Sequence, residues 1–99
     1  QSLAASPAMA NKTDVELCKD HDVRACTRLI DGGKVVDRNL AIALVLRSEG
    51  LERSGDFQAA IRDLTRALEV APGWVDPRKN LARLYESTGQ RQLVLETYM

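Results

Sequence analysis

Cys18 and Cys26 are the two cysteines of this 99-residue chain. Two thiols eight residues apart can close one disulfide, or can pack as two small buried apolar side chains. A zinc site needs four ligands, usually with a close cysteine pair, and the neighbouring His21, Asp22 and Thr27 complete no such pattern. His21 is the one histidine; set among charged residues at a predicted turn, it reads as a solvated turn residue rather than a general base. No Ser/His/Asp set has a suggestive spacing, and Asp31-Gly32-Gly33 reads as a helix stop rather than a phosphate cradle. The carboxylates of Glu49, Glu52, Asp56 and Asp63 can be paired on paper. Spacings such as Glu49 to Arg53 instead place them on solvated helix faces, where their acidity has no reason to shift. The residues therefore predict a protein that is not an enzyme and needs no cofactor or metal.

Lys79, Asn80 and Arg83 fall within one helical turn and can hold a carboxylate through charge-assisted hydrogen bonds. The competing reading is a solvated face balanced by Asp76 and Glu86. Composition narrows the partners. Fourteen basic and fourteen acidic residues cancel, and no segment is a basic arm, which argues against nucleic acid. No apolar run reaches the ~20 residues a membrane span needs, so no membrane insertion is expected. Apolar residues make up 44%, almost all aliphatic, which suits packed helices. Residues 1–12 read as a flexible leader or a signal-peptide remnant. The first ten are uncharged and mostly small, and Ala8-Met9-Ala10 has a small-x-small form.

The elements that must position these groups repeat. Gly55 falls on Gly89, Leu51 on Tyr85, Leu64 on Tyr98 and Ala60 on Val94, each offset by 34 residues. Glycine can end a helix with positive φ, and Asp56 can cap the next one. Phe57, Ala60, Ile61, Leu64, Ala67 and Leu68 make one apolar helical stripe, and Pro72 stops it. A weaker copy lies upstream: Leu17 matches Leu51, Asp22 matches Asp56, Cys26 matches Ala60 and Ile30 matches Leu64. Helices are predicted near 14–19, 22–31, 38–53, 56–70, 75–88 and 90–98. Cys18 then lies late in the first helix and Cys26 one turn into the second, where antiparallel partners meet; that favours the disulfide.

Residues 41–74 resemble a tetratricopeptide repeat, with Leu44, Leu51, Gly55, Phe57, Ala60, Leu64, Ala67 and Pro72 at its characteristic positions. Residues 75–99 resemble an incomplete second repeat and residues 13–40 a degenerate pair. Cys18 to Leu68, with its Cys26-Thr27-Arg28-Leu29-Ile30 stretch, is similar to exported bacterial proteins of this family. The resemblance implies an all-α fold, a short right-handed α-solenoid of about three antiparallel helix pairs, and export, most simply to a bacterial periplasm. It also implies a concave groove lined by Ile42, Val45, Glu49, Glu52 and Arg53, then Asp76, Lys79, Arg83, Glu86 and Ser87, with Asn80 beside them. The Lys79/Asn80/Arg83 cluster looks like a fragment of the family's carboxylate clamp, although Val45 and Glu49 stand where Lys and Asn would be expected. Ile42 and Val45 either pack under the first helical pair or form an apolar floor.

The final stretch carries Leu93, Leu95, Tyr98 and Met99, an apolar end expected to be covered by a second copy, a partner protein or the rest of a longer repeat array. The expected function is a non-catalytic scaffold that binds a protein or peptide through its groove, this apolar end, or both. The alternative is a homo-oligomerising module, such as a homodimer, with the last helix as its contact.

Overall fold

The computed structural model describes residues 12–90 together with Leu93, Glu96 and Thr97. Its described residues form an all-α fold with no strand. The helices are α1 (Asp14–Lys19), α2 (Val23–Asp31), α3 (Asp37–Arg53), α4 (Phe57–Val70) and α5 (Val75–Ser87). Each packs against its neighbour in the chain, and α1 also touches α3, as in a short solenoid-like stack of helix pairs. The boundaries lie within a residue of the predicted ones. Asp22 and Asp56 stand outside the helices as caps, accepting from the backbone N–H of Ala25 at 3.0 Å and of Ala59 at 3.2 Å. Of the helix expected over 90–98, Leu93, Glu96 and Thr97 are helical and the rest lies outside the described residues, except Gln90, which precedes it.

One turn is built three times at the 34-residue spacing. The N–H groups of Asp22, Asp56 and Gln90 donate to the carbonyls of Leu17, Leu51 and Tyr85 at 3.0, 2.9 and 2.6 Å. One residue earlier, His21, Gly55 and Gly89 donate to Cys18, Glu52 and Glu86 at 2.8, 2.9 and 3.1 Å. These paired bonds close each helix C-terminus and require a left-handed residue. The φ values are 69° at His21, 84° at Gly55 and 80° at Gly89. Two of the three corners use glycine, and the first uses histidine.

The core runs continuously through the stack. Ala25, Cys26, Ala41, Leu44, Ala60 and Ala67 are completely buried, with Leu64, Leu81 and Leu84 beside them. The small residues let helix axes approach, and the leucines fill the space between. Gly50 marks a close approach. A Cβ there would overlap the His21 carbonyl oxygen and fall 2.9 Å from Val23 Cγ2, so α3 meets the α1–α2 turn only because this residue has no side chain. Arg38 at the start of α3 places its guanidinium 4.8 Å from the Trp74 ring centroid, tying α3 to the entry of α5.

A disulfide joins Cys18 to Cys26, with Cα atoms 4.7 Å apart. Both residues are buried, so the bond is part of the α1–α2 packing.

Candidate binding groove

Asn39, Ile42, Leu46, Glu49 and Arg53 follow one another on α3 at intervals of 3, 4, 3 and 4 residues, which places them along one helix face. Two concave sites line up on this face. The first, of about 320 Å³, is walled by Val15, Cys18 and Lys19 of α1, Leu29 of α2, Val35, and Asn39, Ile42, Ala43 and Leu46 of α3. The second, wider and shallower at about 680 Å³, is lined by His21, Glu49, Glu52, Arg53 and Phe57. The face therefore changes from apolar to charged along its length.

The charged half is internally bonded. His21 Nε2 lies 2.6 Å from Glu49 Oε1, and both side chains are partly buried. Arg83 of α5 donates two bonds to Glu52 of α3, at 2.6 and 2.9 Å. The Arg83 guanidinium holds the Glu52 carboxyl below its ordinary value, chiefly through these hydrogen bonds, and the carboxylate in turn raises Arg83. Arg53 and Phe57 are exposed at the edge. Such a surface can bind chain segments bearing both apolar and charged side chains.

The groove residues read from the sequence divide. Ile42 is 37% exposed and forms the apolar floor, whereas Val45, at 7%, packs in the core beneath. Glu49, Glu52 and Arg53 line the second site. Asp76, Lys79, Glu86 and Ser87 are exposed on α5, and Asn80 is half-buried. Arg83 is committed to Glu52, so the Lys79/Asn80/Arg83 cluster does not present three free donors. At the chain end Leu93 is half-buried. Leu95, Tyr98 and Met99 lie outside the described residues.

Three readings are corrected by tertiary packing. His21 is at a turn as expected, but it is partly buried and bonded rather than solvated. Glu49 faces this histidine, and among the described residues it makes no ion pair with Arg53. Asp63, expected on a solvated face, is 6% exposed and receives two bonds from Arg47, at 2.7 and 2.8 Å. Arg47 also donates to Thr27 Oγ1 at 3.2 Å, so one guanidinium joins α2, α3 and α4. Hydrogen bonding to Asp63 raises the Arg47 pKa further above its ordinary value. A signal for this pair was available: Asp63 falls between Ala60 and Ala67 on the buried stripe of α4, where a lone carboxylate demands a partner.

Among the described residues no helix is long and apolar enough to cross a membrane, and no three His, Cys, Asp or Glu side chains gather as metal ligands would. No family model, curated protein or solved structure matches the chain.

Proposed function

We propose that this chain is a non-catalytic interaction module of the tetratricopeptide type that binds a segment of a partner protein along the α3 face. The observation that carries the reading is the Asn39–Ile42–Leu46–Glu49–Arg53 stripe, which lines two concave sites end to end. An extended or helical segment laid on such a stripe buries apolar side chains at one end and pairs charges at the other. The 34-residue recurrence of one left-handed turn supports the repeat reading. The buried disulfide supports residence in an oxidising compartment, with a bacterial periplasm as the proposed location.

Selection from a displayed library of random peptides tests the reading. Enriched peptides should combine apolar and charged residues. Their affinity should fall about tenfold or more in Ile42→Asp and in Arg53→Glu, but not in Arg66→Glu, an exposed change on α4. A library that enriches no sequence, or peptides that bind all three variants like the parent chain, would overturn it.

A further inference from the structure

We infer that the apolar half of the α3 face is a site for a small apolar monocarboxylate, its tail against Leu29, Ile42 and Leu46 and its carboxylate on Lys19 and Asn39. The pocket's volume of about 320 Å³ lies at the lower end of the range for small-ligand sites. Its lining residues are apolar apart from Lys19 and Asn39, and Lys19 is the one charged residue among them.

That charge has no carboxylate partner among the described residues, and the reason is visible in the neighbouring chain. The four acidic residues nearest Lys19 in sequence are all engaged elsewhere, Asp22 with the Ala25 backbone N–H at 3.0 Å. Asp14 takes a two-nitrogen grip from Arg28, with contacts from 2.8 to 3.1 Å. Glu16 accepts from the Thr13 backbone at 3.0 Å in a capping box. Asp20 pairs with Lys12 at 3.0 Å. The Asn39 side-chain amide likewise makes no hydrogen bond among the described residues, although it too lines the pocket.

An unpaired ammonium and an unpaired amide at an apolar pocket specify the ligand class. The cation selects an anion and repels an amine, and the amide adds a neutral donor for a second oxygen. One cation suits one negative charge, so a monocarboxylate fits better than a dicarboxylate. The walls select an aliphatic tail over a polar one. Lys19 ends α1 and Cys18 beside it is bonded to α2, so the pocket's cationic wall is tethered to its apolar one. This inference does not rest on the peptide-binding reading, because the proposed ligand is a free acid.

The test is a methyl nuclear magnetic resonance titration of the chain with octanoate, octanol and octylamine. Octanoate should give saturable shifts at the methyls of Val15, Leu29, Ile42 and Leu46. Octanol should bind about tenfold more weakly, as expected when one charge-assisted bond is lost, and octylamine should not saturate. Lys19 is exposed, so Lys19→Gln should keep a folded spectrum while octanoate affinity drops to that of octanol; Lys19→Arg should retain binding. Equal binding of the three compounds, absence of saturable shifts at these methyls, or unchanged octanoate affinity in Lys19→Gln would overturn the inference. An acetylated peptide ending in leucine that binds more tightly than octanoate, and loses that advantage on amidation, would also overturn it by moving the ligand from a free acid to a chain terminus.

Discussion

His21 and Glu49 meet across the mouth of the groove, Nε2 to Oε1 at 2.6 Å, although 28 residues separate them in the chain. The contact explains why a histidine occupies a left-handed corner that glycine fills in the two later copies of the same turn. A non-glycine residue there costs about 1 kcal/mol or more, and the ring offsets it by pinning the α1–α2 turn to α3. Substitutions separate the two effects. His21→Ala keeps the backbone cost and loses the contact, so it should be about 1–2 kcal/mol less stable than the parent chain. His21→Gly loses the contact but relieves the backbone, so it should be about 1 kcal/mol more stable than the alanine variant. Urea unfolding midpoints measure both. Equal stability of the two variants would mean that residue 21 is not strained.

Most of the helical frame was legible in the sequence, because glycine, aspartate and apolar spacing act locally. The first turn shows where that method stops. Searching for glycine finds residues 55 and 89 but not His21, although the 34-residue register points to it. Pairing between helices was harder to read. The i, i+4 rule sees charges on one helix, and so joined Glu49 to Arg53. The partners that Glu49 and Glu52 actually take, His21 and Arg83, come from other elements, the α1–α2 turn and α5. Gly50 is a similar case: its role is a close approach between elements, which no local pattern reports.

The Arg47–Asp63 pair should behave as a buried unit. Asp63 is almost completely enclosed and the Arg47 side chain is 19% exposed, so removing one partner strands the other. Asp63→Ala should cost about 2–4 kcal/mol, at the lower end of buried-pair values because Arg47 keeps some contact with water and its bond to Thr27. Replacing both residues, as Arg47→Met with Asp63→Leu, should cost much less than the sum of the single changes. A double-mutant cycle by urea denaturation gives the coupling. Additive single changes would show that the pair does not act as a unit.

Glu52 makes the stability of the groove depend on acid. Arg83 lowers its carboxyl from the ordinary value of 4.5, so in the folded chain Glu52 stays ionised to lower pH than in the unfolded one. The contribution is therefore complete above the unfolded value and is lost as pH falls below 4.5 through the lowered folded value. Both side chains have access to water, 52% for Arg83 and 26% for Glu52, so solvent screening holds the effect to about 1 kcal/mol or less. Glu52→Gln should reduce stability slightly at neutral pH and flatten the decline below pH 4.5. Denaturation midpoints over an acidic series should show the two curves converging as pH falls. Parallel curves would remove Glu52 as a source of that decline.

The Cys18–Cys26 bond governs α1 more than the stack as a whole. Helix α1 has six residues, too few to hold a helix in isolation. Besides its packing on α2 and α3, its side-chain ties include the Thr13–Glu16 capping box and the exposed Arg28–Asp14 pair, and exposed pairs contribute little. Closing the short loop between the cysteines contributes about 2–3 kcal/mol in the chain-entropy model. Helices α3 and α4 share their own buried surface through Leu44, Ala60 and Leu64, which does not pass through the disulfide. Replacing both cysteines with alanine should therefore lower global stability by about 2–3 kcal/mol while unfastening α1 first. Hydrogen exchange should show α1 amides losing protection, with α3 and α4 still slow under native conditions. Because Val15, Cys18 and Lys19 of α1 wall the apolar site, the same variant should also lose its concavity there. If α1 amides stay as protected without the bond as with it, the helix is held by packing alone and the disulfide is not its anchor.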